Sequence, residues 1–145
     1  LDGVTDVHNF GAIARSAEFF GLDGLLISSS RSAAINDLAM KTSAGALARI
    51  PVARTPSLVN IIPELKAAGL AIYSADVGGK VGLKELDWNR PIAIILGSEG
   101  LGVTPEISKQ ADEKFLIPKV GDMESLNVSV AAGICFYESM LGRAT

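Results

Sequence analysis

At 145 residues, 48% hydrophobic and 20% charged, the chain is sized for one domain with a packed core, which excludes a disordered polymer. A net charge of −3 excludes a uniformly basic nucleic-acid binder, while one cysteine (Cys135) and one histidine (His8) rule out an intrachain disulfide and argue against metal centres and Cys–His catalysis. The longest apolar runs, Pro91–Gly97 and Val128–Tyr137, fall short of the roughly 18 residues of a membrane span, so no membrane partner is expected. Cysteine usage and the lack of a visible secretory signal point to the cytoplasm, and a start at Leu1 without methionine reads as a piece of a longer protein.

In chain order, Leu1–Val4 reads as the end of a first strand. Asn9 suits the N-cap of a helix through Phe20, with Ile13, Ala17 and Phe20 at helical spacing and Gly21 as its stop. Gly24–Ser28 reads as a strand, Ile35–Leu47 as a helix, and Ile50–Arg54 as extended chain. Leu58–Ala68 reads as a helix closed by Gly69, before the strand Leu70–Ser74. Pro91–Leu96 has the composition of a strand buried on both faces. Thr104 and Pro105 open a helix, Lys114–Ile117 is a short strand stopped by Pro118, and the last helix runs from about Asn127 to Leu141. On that helix Val130, Ile134, Tyr137 and Leu141 form one stripe, with Cys135 in the core. Strands alternating with helices predict an α/β fold with a parallel sheet, and no repeat or linker divides residues 1–145.

Three polar islands interrupt this apolar chain: Asp6–Ala17, Leu96–Gly102, and Ile117-Pro118 with Ser125–Ala131. Each follows an expected strand, and in an open parallel sheet the loops leaving the carboxyl ends of strands converge on the ligand site. One shared cleft holding Asn9, Arg15, Glu99, Ser125 and Asn127 is therefore expected. The glycine turn is spaced G-x-x-G-x-G, not as the dinucleotide fingerprint, and Val103 stands where a P-loop needs lysine. Glu99 also puts a carboxylate where phosphate would lie, so backbone groups holding an uncharged heterocycle fit better. Each residue has a plainer reading: Asn9, Ser125 or Asn127 as helix caps, Arg15 as an exposed helix residue, His8 as a helix entry. Between Ser28 and Asn60, Arg31, Lys41, Arg49 and Arg54 stand against Asp37 alone, a local balance of +3. That stretch is either a solvated face or a phosphate-contacting patch.

Asn9-Phe10-Gly11-Ala12-Ile13-Ala14-Arg15 resembles the first motif, N-x-G-A-x-x-R, of the SpoU family of RNA ribose methyltransferases, within the SPOUT superfamily. Leu96–Gly100 is similar to its second motif, and Ile117-Pro118 with Ser125–Ser129 to its third, in the right order and spacing. The stretches Leu1–Asp6 and Val128–Glu138 most resemble the branch that methylates a guanosine of large-subunit (23S) ribosomal RNA; the tRNA-modifying branch is also similar. Departures are Val7 for a common proline, Ala14 for a larger aliphatic, an acidic loop at Asp122-Met123-Glu124 and a clipped first strand.

The resemblance implies a parallel sheet with helices on both faces and a C-terminal trefoil knot, against the general rule that chains are unknotted. It implies S-adenosylmethionine held by main-chain groups of Gly97, Ile117 and Leu126, no metal, a structured RNA partner and a homodimer in which Arg15 serves the neighbouring subunit's cofactor. An RNA-binding domain preceding this catalytic domain would lie outside residues 1–145. Arg15 would stabilise developing alkoxide and grip a phosphate, a role better suited to a guanidinium than that of base, although the resemblance leaves both open. Asn9 and Asn127 would orient substrate or Arg15, Glu99 would pair with Arg15 or carry the proton, and Ser125 would hydrogen-bond the ribose. The rival reading, an RNA-binding module of the same fold without chemistry, sits poorly with intact Asn9, Arg15, Glu99 and Asn127.

Overall fold

The computed structural model describes residues 1–144. The Asp6 carboxylate caps the first helix, α1 (Val7–Phe19), by accepting from the Asn9 amide at 2.9 Å. The helix thus begins three residues before the expected Asn9 cap. An aspartate complements the positive helix end better than an asparagine, and this frees the Asn9 side chain for other use.

Strand β1 (Leu25–Ser28) is followed by α2 (Asp37–Thr42), capped by Asn36. The long helix expected over Ile35–Leu47 breaks at Ala44 and Gly45, whose φ values of 51° and 81° are left-handed, and resumes as a 3₁₀ turn at Ala46–Ala48. Next come β2 (Val52–Thr55), α3 (Leu58–Ala67) and β3 (Ala71–Ala75). Pro63 sits inside α3, where it has no N–H to give the Val59 carbonyl; that oxygen instead accepts from Gln110 Nε2 at 3.0 Å. The chain continues through β4 (Val81–Gly82), which has no signal in the sequence, β5 (Ile92–Ile95), a single-turn α4 (Pro105–Ser108), β6 (Glu113–Leu116) and α5 (Val128–Arg143).

All strand pairs are parallel, in two pieces: β1–β2, and β4–β6–β3–β5. Consecutive residues of β3 point to opposite faces. Tyr73 joins the main core with Phe10 and Ile13 of α1, Phe115, and Cys135 and Phe136 of α5, while Ile72 packs with Ile62 of α3 and Ile107 of α4. Helices therefore cover both faces.

Three further expectations are corrected. Leu1–Val4 is not a strand but a single parallel bridge, Asp2 opposite Gly97, with the Leu1 amine donating to the Leu26 carbonyl at 2.7 Å. This segment lies between the facing edges of β1 and β5; Ile92–Ile95 is half-buried, not buried on both faces, and its Ile92 and Ile94 line a groove with Leu1 and Leu26. On α5 the buried face is Val128, Ala132, Cys135, Phe136 and Ser139, whereas Val130, Tyr137 and Leu141 of the expected stripe are 51%, 46% and 41% exposed. The helix packs against α1.

Candidate functional site

The order β4–β6–β3–β5 sets β3 between β6 and β5, so the loops leaving β5, β3 and β6 are neighbours at one sheet end. The turn after β5 is tightened by a bridge between Ser98 and Gly102, with Gly100 and Gly102 at φ of 84° and 67°. At Gly97 a Cβ would stand 2.0 Å from the Gly102 carbonyl carbon, so only glycine permits this closure. The far end of the turn is tied down by the buried Asp2 carboxylate, which accepts from the Thr104 amide at 2.7 Å. Thr104 precedes α4 as expected, but its own side chain caps nothing.

This turn delivers Glu99 to the start of α5. Glu99 Oε1 accepts from Asn127 Nδ2 at 2.5 Å and from the Val128 amide at 3.3 Å. The same Asn127 nitrogen donates to Asn9 Oδ1 at 3.0 Å. Asn127 is also the N-cap of α5: its Oδ1 accepts from the Ser129 amide at 2.9 Å and the Ser129 hydroxyl at 2.5 Å. With Oδ1 committed to the helix end, the amide can present only its N–H₂ to Glu99 and Asn9. The capping reading and the site reading of Asn127 therefore hold together.

One residue of each polar island meets at this point. Arg15 does not join them. It is exposed and makes no hydrogen bond or ion pair among the described residues, and the expected Glu99–Arg15 pair is absent: Glu99 Oε1 is bound by Asn127 and Val128 instead. Six residues of helix separate Asn9 from Arg15, which turns their side chains about 120° apart. Ser125 is exposed, Leu126 is 48% exposed, and Ile117 and Gly97 are half-buried. His8 is exposed on the first turn of α1.

Sequence reasoning missed Ser129, whose Asn-x-Ser spacing at a helix start was the available signal. It also missed Asp76, just beyond β3, whose carboxylate accepts from the Gly78 amide at 2.9 Å and the Ser108 hydroxyl at 3.2 Å. The three loops expose Val77, Leu101 and Leu126 at 76%, 86% and 48%. Apolar side chains beside a backbone-walled turn that carries a carboxylate fit a flat, uncharged ring and not a phosphate. No group of three or more His, Cys, Asp or Glu that could hold a metal occurs among the described residues. Burial pushes the Cys135 thiol up to about 12, so it is not a nucleophile. No described helix is long and apolar enough to cross a membrane.

Residues 1–137 match the model of the SpoU rRNA Methylase family. An uncharacterised tRNA/rRNA methyltransferase of Mycobacterium avium (strain 104) is 44% identical over 138 residues, covering 95% of this chain and 45% of that protein. The chain thus spans about half the length of the curated relatives it matches. Among solved structures, a TrmH/SpoU tRNA modifying enzyme of A. aeolicus superposes with a TM-score of 0.90 at 33% identity, over 99% of this chain and 73% of that one. The SpoU methyltransferase AviRb of Streptomyces viridochromogenes, solved with the cofactor AdoMet, gives 0.90 at 28% identity, over 99% of this chain and 58% of that one.

Proposed function

Because the chain belongs to the SpoU rRNA Methylase family, we propose that it is the catalytic domain of an enzyme that methylates a ribose 2′-hydroxyl of structured RNA from S-adenosylmethionine. A guanosine of 23S ribosomal RNA is the favoured target. The observation that carries this reading is the meeting of Asn9, Glu99 and Asn127 from three distant segments, one from each of the three motifs.

Bound S-adenosylmethionine supplies a methyl group already activated on a sulfonium. Main-chain groups of Gly97, Ile117 and Leu126 would hold it, beside the apolar side chains that the loops expose. What remains for the protein is to align the ribose oxygen, an effect worth roughly 7–11 kcal/mol at best, and to manage its proton. The Asn9–Asn127–Glu99 junction is pre-ordered and serves alignment. Arg15, whose donors are uncommitted, stabilises the developing alkoxide and contacts an adjacent phosphate. Ser125 hydrogen-bonds the ribose. The reading includes a C-terminal trefoil knot, supported by the seating of Asn127 against the Gly97–Gly102 turn, and a homodimer, supported by exposed Val130, Tyr137 and Leu141 on α5 and Phe19 on α1. A cytoplasmic address goes with an RNA substrate.

The likeness to a tRNA modifying enzyme favours tRNA as the second substrate reading. Methylation of each RNA in single turnover, with nucleoside mass spectrometry of the product, separates the two. Label in 2′-O-methylguanosine of 23S ribosomal RNA is expected; label on a base, or on neither RNA, overturns the proposal. Calorimetry should give cofactor binding that a chelator leaves unchanged, and light scattering a dimer.

A further inference from the structure

The four cations between Ser28 and Asn60 do not form one face with one role. Arg49 pairs with Glu18 of α1 at 3.8 Å, and Lys41 belongs to α2. Arg31 stands instead beyond the carboxyl end of β1, and Arg54 is the penultimate residue of β2, paired in register with Ile27 and exposed near the same end of the parallel pair. Arg54 Nη1 donates to Ser32 Oγ at 3.3 Å, which links it to the Ser28–Ser32 loop. That loop is turned by Ser28 Oγ, which accepts from the Ser30 and Arg31 amides at 3.3 and 3.2 Å, leaving Ser29, Ser30 and Arg31 exposed.

Arg31 reaches from this loop to the candidate site. Its Nη2 lies 2.8 Å from where a Cβ on Gly3 would stand, and the Cβ of Ser98, the neighbour of Glu99, lies 3.7 Å from the same point. Among the described residues it pairs with the buried Asp2, at 3.8 Å, while Arg54 has no ion pair there. The stretch is +3 in a chain of −3, so the remainder carries −6 and the local field that favours a polyanion is concentrated in this part of the sequence.

We propose that the Ser29–Ser32 loop with Arg31 and Arg54 is a docking strip for the phosphodiester backbone of RNA, lying beside the Glu99 turn so that a strand crossing it leads into the site. Hydroxyls and guanidinium groups without base-reading aromatics match backbone contact that is indifferent to sequence. The inference rests on the methyltransferase reading for which RNA is used, not for the charge geometry itself.

The test is RNA binding by the whole chain across a salt series, for the wild type, Arg54→Gln, Arg31→Gln and the double variant, with cofactor binding measured alongside. Neutralising one phosphate contact should lower the slope of log affinity against log salt by about 0.7–0.9. Both together should lower it by roughly twice that, raise the RNA KM, and leave kcat and cofactor affinity unchanged. Arg54→Gln carries the decision if Arg31→Gln unfolds through loss of the counter-ion to Asp2. An unchanged slope in Arg54→Gln overturns the strip, as does a loss of cofactor affinity in Arg31→Gln, which would assign that arginine to the cofactor's carboxylate. A wild type that binds RNA with the expected slope yet methylates none would sink the enzyme reading and leave the strip standing.

Discussion

The start of α5 and the exposed face of α1 handle hydrogen bonding in opposite ways. At Asn127 every polar atom of the amide is committed: Oδ1 to Ser129, Nδ2 to Glu99 and Asn9. Arg15 has five donors and no partner among the described residues. A satisfied junction holds geometry and resists change; an unsatisfied cation is available to charge that appears only when substrate reacts. The contrast separates residues whose loss should cost stability from residues whose loss should cost rate alone.

The largest effect should come from the turn that delivers Glu99. Gly97→Ala drives a methyl into the Gly102 backbone, which no rotamer change relieves, so a loss of about 3 kcal/mol and a Tm lower by roughly 10 °C are expected by calorimetry. Normal stability would mean that the turn opens without cost.

Arg15→Ala sharpens the contrast most. Turnover should fall about a hundredfold or more, the scale of losing one oxyanion donor, with cofactor affinity and Tm unchanged. Arg15→Lys should rescue little, because an ammonium lacks the planar fork. Single-turnover methylation beside thermal melts reads both arms; a Tm loss in Arg15→Ala would show that the arginine is structurally committed after all.

Asn127→Ala should lose both properties. The helix cap alone is worth about 1–2 kcal/mol, visible in urea unfolding, and Glu99 is then released from its seat. Asn127→Asp keeps the cap but sets a carboxylate against Glu99, so it should recover the stability of α5 and not the turnover.

The smallest effect concerns Cys135. Its thiol is raised from an ordinary 9.0 to about 12 by burial, so the folded chain holds that proton more tightly than the unfolded one. Its contribution to stability is complete below pH 9 and is lost as pH rises from there toward 12. A thiol reagent at pH 8 should therefore react only under denaturant; rapid labelling of native protein would contradict the burial.

Much of this was legible before any coordinates, because the signals are local. The alternation of strands and helices, Pro105 opening α4, Pro118 after β6 and the burial of Cys135 each depend on a few neighbouring residues. The failures were local competitions with more than one answer. Asp6 and Asn9 can each cap a helix, and the choice between them decides what the Asn9 side chain is free to do. The break at Ala44-Gly45 lies inside an apolar stretch that reads equally well as unbroken helix. The half-exposed β5 and the outward stripe of α5 have strand and helix periodicity, but periodicity does not say which surface a neighbour will cover.

The amino-acid order by itself determined which segments become strands and helices and which polar residues stand in loops, since backbone preference and capping act over four residues or fewer. Only the tertiary structure decided that Asn127 meets Glu99 across 28 residues and Asn9 across 118, that Arg15 stays outside that junction, and that Arg54 of β2 reaches the loop carrying Arg31 while Arg49 pairs with Glu18. Those pairings depend on strand order and on the angle at which a helix leaves its cap. No short-range preference encodes either, because both are set by how the two apolar faces of the sheet are covered.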